Sequence, residues 1–276
     1  MKLSIITINF NNASGLQKTI NSVLSQTYKN YEYIVIDGGS TDGSKELIES
    51  YSDKIDYWVS EPDKGIYNAM NKGIRQAKGE YLHFLNSGDI YANNYVLQEV
   101  FEQKTYESPI LRGIQICDNK GCQTKWINRG NRDITLYDLY IDTLQHQATF
   151  IHQDLFKKYG LYDEKYKIVS DWIFFLKAML GGESSTYLNF DIVIFDMTGI
   201  SNNAEFRKTM FNERKQIISE LIPRTVQTDY ERLTLLQKHT DKYGQYFYMI
   251  DFINNNKVPR FCFRLLNKLY KVLKLQ

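Results

Sequence analysis

A chain of 276 residues, 43% of them hydrophobic, has ample material for a core and is long for one compact unit but short for two full-sized ones. Its formal charge of +2 conceals an asymmetry, because six of the 34 Lys and Arg lie in residues 257–276, which hold no acid, leaving 28 basic against 32 acidic residues in the remainder. Three cysteines exclude a disulfide framework and fit a reducing cytoplasm, no apolar run approaches the ~20 residues of a membrane-spanning helix, and an acidic body without a base-stacking module excludes nucleic acid as a partner.

The N-terminal run Leu3-Ser4-Ile5-Ile6-Thr7-Ile8 begins like a signal peptide but breaks at Asn9 before any small-residue cleavage site, so it reads as a first strand. Ser14-Gly15-Leu16-Gln17 has the form of a capping box ahead of a helix with Leu16, Ile20, Val23 and Leu24 on one face. A second strand, Glu32 to Asp37, precedes a Gly-Gly-Ser-Thr-Asp-Gly turn and a helix carrying Leu47 and Ile48. A third strand, Asp56 to Ser60, leads to a helix that is expected to bury Ile66, Met70 and Ile74, and Glu80 to Leu85 form a fourth strand. Strands alternating with helices predict a parallel, doubly wound half domain.

Beyond residue 105 the rhythm loosens. Strands are expected at 109–117 and 122–128 as a hairpin around Asp118-Asn119-Lys120-Gly121, and again at 147–152 and 186–196, with a helix at 171–180. Cys117 and Cys122, with no further metal ligands nearby, read as ordinary strand residues. Residues 204–248 are helical in pattern and interrupted by Pro223. The expected organisation is a domain at 1–203, made of a nucleotide half (1–105) and an acceptor half (106–203), followed by a helical extension at 204–276.

Two acidic stretches stand where apolar strands run out: Val35-Ile36-Asp37-Gly38-Gly39-Ser40-Thr41-Asp42-Gly43 and Phe84-Leu85-Asn86-Ser87-Gly88-Asp89. Ligands of open α/β sheets gather beyond the carboxyl ends of the strands, so Asp37 and Asp89 are expected to face one crevice suited to a cation or a donor-rich ligand. Each also suits an ordinary turn. A dinucleotide fingerprint would need glycine at position 40, where the chain has Ser40, and no Walker lysine motif occurs.

Together with Ser4-Ile5-Ile6-Thr7-Ile8-Asn9 and the segment from Glu61-Pro62-Asp63-Lys64-Gly65 to Gly73, these stretches resemble the ordered motifs of family 2 glycosyltransferases. The resemblance implies an α/β GT-A fold, a nucleotide-sugar donor, a divalent cation (Mn²⁺ or Mg²⁺) and transfer with inversion. It places Thr7 and Asn9 beside the nucleotide, Asp37 at a uridine-type base or its ribose, and Asp63 beside the base pocket. Ser87 and Gly88 fall at the donor, with Asp89 on the metal. Where the family usually carries another acid, this chain has Ser87.

Inversion needs a base for the acceptor hydroxyl. Asp171, in Ile168-Val169-Ser170-Asp171-Trp172, resembles the family's acidic motif on the acceptor side, and the same residue also suits an N-terminal cap. His146, in His146-Gln147-Ala148-Thr149-Phe150, is a candidate for the diphosphate or the acceptor, with a structural role as the alternative, whereas His83 and His152 read as structural.

In the tail, Arg260, Arg264, Lys268, Lys271 and Lys274 recur every three or four residues opposite Leu265, Leu266, Leu269, Val272 and Leu273. This pattern fits a helix lying on anionic lipid, or one packed on its own domain. The chain is thus expected to be an inverting, metal-dependent glycosyltransferase acting on a polysaccharide or lipid-linked saccharide, cytoplasmic and peripheral on the inner face of the membrane. The alternatives are a catalytically inactive nucleotide-sugar-binding protein and, with less support for want of a glycine-rich N-terminal loop, a sugar-phosphate nucleotidyltransferase.

Overall fold

A computed structural model describes residues 1–127, 129–197 and 204–273. In chain order its first half comprises β1 (Leu3–Asn9), α1 (Ala13–Leu24), β2 (Tyr31–Asp37), α2 (Ser44–Ser50), β3 (Tyr57–Ser60), α3 (Ile66–Gln76), β4 (Tyr81–Phe84), β5 (Ile90–Tyr91) and α4 (Val96–Phe101). There follow β6 (Ile110–Asn119), β7 (Cys122–Trp126), α5 (Leu136–Ile141), a 3₁₀ turn (His146–Ala148), β8 (Thr149–His152), α6 (Gln153–Tyr159), α7 (Ser170–Leu180), β9 (Ser185–Asp196), α8 (Ala204–Leu221), α9 (Arg224–Asn255) and α10 (Lys257–Leu273).

One mixed sheet runs in the order β3-β2-β1-β4-β8-β6-β9-β5, with β7 paired to β6. The first four strands are parallel, as their alternation with helices predicts. The second half is joined by antiparallel pairing of β8 with both β4 and β6, while β9 runs parallel to β6. Leu3, Ile5 and Ile6 on β1 and Ile34, Val35 and Ile36 on β2 are fully buried, as expected of strands covered on both faces. Leu16, Ile20 and Val23 of α1 are likewise buried, each worth about 1.5–3 kcal/mol. The hairpin between β6 and β7 turns through Lys120 and Gly121, both at positive φ, the backbone that a two-residue primed turn requires.

Several expectations are corrected. Asn12, not Ser14, caps α1: its Oδ1 accepts from Gly15 N at 3.1 Å, which puts Ser14 inside the first turn. Met70 is buried as expected, but Ile66 is 41% exposed, because Tyr67 and Asn71 turn inward beside Met70. Residue 128, the expected end of the second hairpin strand, lies outside the described residues, and β7 ends at Trp126.

The chain divides into two units, Met1–Leu221 and Ile222–Gln276. Helix α8 belongs to the first, where the Glu213 carboxylate accepts from the backbone N–H groups of Lys167 and Ile168. Arg214 donates to the carbonyls of Leu139 and Asp142 and lies 4.4 Å from the Trp172 ring centre. In the second unit Pro223 immediately precedes α9, as the sequence break foretells. Among the described residues no helix is long and apolar enough to cross a membrane.

Candidate active site

The carboxyl end of β1 is flanked by the ends of β2 and β4. Asn9 lies opposite Asp37 in the parallel register, and on the other side Ser87 N donates to Ile8 O at 3.1 Å. The two acidic stretches therefore converge on one strand end, the crevice that strand topology predicts.

Asp37 is fully buried, and four donors surround it. Oδ1 accepts from Asn9 Nδ2 (2.7 Å) and Ser40 Oγ (2.6 Å), while Oδ2 accepts from Ser40 N (2.9 Å) and Ser60 Oγ (2.7 Å). Burial pushes its carboxyl up, but the bonds from Ser40, Ser60 and Asn9 outweigh that and hold it below the usual carboxylate value. Asn9, 4% exposed, spends its amide hydrogens on this cluster and leaves Oδ1 buried without a partner, an acceptor suited to a ligand N–H.

Asp63 arrives from the loop between β3 and α3, held by Gly65 N donating to its Oδ1 at 2.8 Å. A Cβ placed on Gly38 would stand 2.5 Å from Asp63 Oδ2 and 3.2 Å from the ring of Phe10. Phe10 is 62% exposed, an aromatic surface at the strand end that the sequence reading passed over. Thr7 is fully buried on the same strand, donating to Leu85 O at 2.7 Å and bonded to the Tyr33 hydroxyl at 3.1 Å. Both bonds tie β1 to its neighbours in the sheet.

The turn after β4 is fixed by Thr19 of α1, whose hydroxyl accepts from Gly88 N (3.0 Å) and donates to Asp89 O (2.8 Å). Gly88 has φ +105°, which disfavours any side chain there. Ser87 Oγ donates to Asn12 O at 3.2 Å. Asp89 is 3% exposed and accepts at Oδ1 from Asp196 N at 3.1 Å. Burial pushes its carboxyl up to about 8; the Asp196 N–H opposes this and the Asp196 charge adds to it. The Asp196 carboxylate lies at the same turn, its Oδ2 3.5 Å from the point a Cβ on Gly88 would occupy.

Two neighbouring carboxylates, one so buried that it holds a proton near neutrality, form the donor set that Mg²⁺ or Mn²⁺ takes when phosphate oxygens and water complete its shell. No group of three or more His, Cys, Asp or Glu suited to a metal occurs among the described residues. The site thus fits a cation shared with a ligand, and Asp89 with Asp196 would hold it. Asp196 had a signal in the sequence, an acid closing a predicted strand, the same rule that singled out Asp37 and Asp89.

Asp171 sits in the first turn of α7. Its Oδ1 accepts from the Tyr67 hydroxyl at 2.7 Å, which also lies 2.5 Å from Ile168 O, and its Oδ2 lies 3.1 Å from His146 Nδ1. Burial raises its carboxyl, but His146 and Tyr67 more than compensate and lower it. Tyr67 is pushed well above the ordinary phenol value, first by burial and then by Asp171, so it remains a donor. On its other side His146 Nε2 stands 3.4 Å from Asn86 Nδ2, which links this cluster to the β4 turn. Tyr67 was missed although it lies inside the motif from Glu61 to Gly73.

The remaining histidines in the sheet region behave as structural groups. His83 is fully buried between the Tyr91 hydroxyl and Gln147 O, and burial pushes it down to about 4. His152 caps α6 by accepting from Asp154 N. The three cysteines are free.

A sequence model described as glycosyl transferase family 2 matches residues 4–160. An uncharacterised glycosyltransferase of Mycobacterium tuberculosis is 36% identical over 208 residues, spanning 74% of this chain and 78% of that protein. A PGL/p-HBAD biosynthesis glycosyltransferase of Mycobacterium bovis is 28% identical over 180 residues, 63% and 68% of the two chains. Among solved structures, S. aureus TarS in complex with UDP-GlcNAc is similar with a TM-score of 0.67 at 20% identity, covering 87% of this chain and 73% of that one. The mannosyltransferase PcManGT from Pyrobaculum calidifontis, in complex with GDP-Man and Mn²⁺, reaches a TM-score of 0.58 at 14% identity over 76% and 60% of the chains.

Proposed function

The chain belongs to glycosyl transferase family 2 and is a glycosyltransferase with the GT-A fold, and from that premise we propose that it moves a sugar, with inversion, from a UDP-linked donor to a hydroxyl of a polysaccharide or lipid-linked saccharide, with Mn²⁺ or Mg²⁺ as cofactor. The observation that carries this reading is the meeting of Asp37 and the Asp89–Asp196 pair on opposite flanks of β1, with Asp171 and His146 tied to the same turn through Asn86. The UDP-GlcNAc bound by TarS supports a uridine donor, and the Mn²⁺ of the archaeal mannosyltransferase supports a divalent cation.

In this reading Asp37 orients the nucleoside through the cluster it organises, and Asn9 Oδ1 takes an N–H of the base. Asp63 and Phe10 border the base at Gly38, which must stay without a side chain. Ser87 and Gly88 carry the backbone past the diphosphate. A cation held by Asp89 and Asp196 would neutralise the charge gathering on the leaving nucleoside diphosphate. The acceptor hydroxyl loses its proton to the Asp171–His146 group on the face opposite the leaving group. The Asp196 carboxylate at the Gly88 turn speaks against an inactive nucleotide-sugar binder, the alternative raised by Ser87.

Nucleoside diphosphate release, measured across UDP-, dTDP- and GDP-linked sugars with Mn²⁺, is expected to be fastest for a UDP-sugar and to fall about 10²- to 10⁴-fold in Asp171→Asn. Release from no donor, with nucleotide-sugar binding intact, would overturn the reading.

The membrane partner is proposed from the second unit taken by itself. Helix α10 carries Lys257, Arg260, Arg264, Lys268 and Lys271, with Phe261 (67%), Leu265 (51%) and Leu266 (64%) exposed, while Lys274 lies outside the described residues. A basic face beside exposed leucines complements an anionic bilayer at the cytoplasmic surface, where a lipid-linked acceptor would lie. The full chain is expected to sediment with phosphatidylglycerol-containing vesicles at low salt and a chain lacking residues 257–276 to stay in the supernatant; equal sedimentation of both would remove this part.

A further inference from the structure

Asp63 owes its place to the helix that follows it. The loop before α3 lies hard against the turn after β2: a Cβ on Gly39, which has φ +81°, would stand 3.1 Å from Pro62 N, and one on Gly38 would stand 2.5 Å from Asp63 Oδ2. The loop backbone is tied to the sheet by Glu61 N, which donates to Asp37 O at 3.1 Å. Its side-chain support comes from α3.

Lys72 Nζ lies 2.7 Å from Glu61 Oε1 and donates to Pro62 O at 3.3 Å. Asn68, four residues earlier and so on the same helix face, accepts from Lys64 N at its Oδ1 at 3.3 Å. The two side chains hold the loop on either side of Asp63. Among the described residues no other side chain bonds Glu61 or Pro62. The turn of α3 that carries Lys72 is itself fixed on both sides. Asn71, 1% exposed, donates to Tyr162 O at 2.8 Å and accepts from Tyr162 N at 3.0 Å. Gly73 lets the helix approach β1 so closely that a Cβ there would stand 2.5 Å from Ile6 Cγ2. An ion pair with a partner as exposed as Glu61, at 52%, adds little stability; what the contact fixes is a position.

We propose that Lys72 is a positioning residue for the donor's base: it sets the 61–63 loop, and through it the Asp63 carboxylate, against the Gly38-Gly39 turn, and touches no part of the donor itself. The proposal rests on the nucleotide-sugar reading of that crevice and deepens it. Nζ has two partners on the loop, so the ammonium is turned toward Glu61 and Pro62. In the same reading the diphosphate falls at Ser87 and Gly88, after β4, on the other flank of β1 from the turn that follows β2. Loosening the loop therefore costs affinity for the base and leaves the reacting end of the donor as it was.

Binding to the full chain, by calorimetric titration with UDP and by competition of uridine against UDP, tests it. Lys72→Met is expected to weaken uridine and UDP by the same factor, about 3- to 10-fold, and to raise donor KM by that factor with kcat unchanged. A merely less stable protein would lose binding stoichiometry and kcat, not affinity. Lys72→Arg, which keeps a cation and donors for both loop partners, is expected to retain most of the parent's affinity. Glu61→Gln removes the charge from one exposed group and leaves Pro62 O in place; it is expected to weaken both ligands equally and carries the comparison should Lys72→Met fail to fold. A greater loss for UDP than for uridine overturns the assignment, since Lys72 would then act on the diphosphate. Unchanged affinity for both ligands in whichever variant folds overturns it, and so does a fall in kcat at unchanged donor KM. A parent that binds neither uridine nor UDP and releases nucleotide from no donor overturns the nucleotide-sugar reading and the assignment with it, whereas a parent that binds both, with any of the failures above, loses the assignment alone.

Discussion

Asp89→Asn is expected to melt at a higher temperature than the parent at pH 8 without divalent cations, and to lose at least about 100-fold in transfer rate. Burial is the largest influence on the Asp89 carboxyl and moves it from the ordinary 3.8 to about 8. A carboxyl raised on folding binds more protons in the native than in the unfolded chain between about pH 4 and pH 8. Stability from this group therefore falls as pH rises through that window. Asparagine removes the ionisation and keeps an oxygen for the Asp196 N–H. Each 1 kcal/mol regained is worth about 2–4 °C in a unit of this size. Mn²⁺ is expected to reverse the ranking, raising the parent's melting temperature more at pH 8 than at pH 6, where it must displace a proton, and leaving the variant almost unmoved. Melting curves at pH 5–8 with and without Mn²⁺ check both parts; a variant less stable than the parent at pH 8 contradicts the burial argument.

The trade between stability and function at Asp89 was half legible in the sequence. An acid at the end of an apolar strand, next to a Ser-Gly turn, announces a strand-end site, and parallel strands β1 to β4 were readable from apolar runs alternating with helices of ordinary length. Burial makes Asp89 unusual, and its hydrogen-bond partner Asp196 meets it across 107 positions of chain. Tyr67 likewise finds Asp171 across 104 positions, and no local pattern encodes either pairing. Short elements escaped for lack of periods. Strand β5 has two residues, α4 and α5 have six and α6 has seven, too few for a hydrophobic repeat to declare itself. Glu213 and Arg214 bind α8 within the first unit by polar contacts, which an apolar pattern does not record.

Asp37→Asn is expected to fold, with a loss of about 1–2 kcal/mol, yet to weaken donor binding by about 10- to 100-fold. Each carboxylate oxygen of Asp37 accepts one serine hydroxyl and one N–H: Asn9 Nδ2 on Oδ1 and Ser40 N on Oδ2. A hydroxyl can reverse its role, but an N–H cannot. An amide nitrogen on the Ser40 side would face the fixed backbone donor, so the substituted residue must turn its nitrogen toward Asn9. Asn9 can answer by flipping its own amide, offering the oxygen that is buried without a partner in the parent. The core is thereby satisfied, which keeps the stability cost small. The flip presents an NH₂ where the parent presents a free acceptor, and a donor N–H of the base then meets another donor. Asp37→Ala takes the opposite course, leaving the Ser40 N–H, two hydroxyls and an amide without their common acceptor at a cost of about 2–4 kcal/mol. Calorimetric titration with UDP and thermal melts of both variants separate the two effects. Donor affinity unchanged in Asp37→Asn would show that the free oxygen of Asn9 faces no ligand.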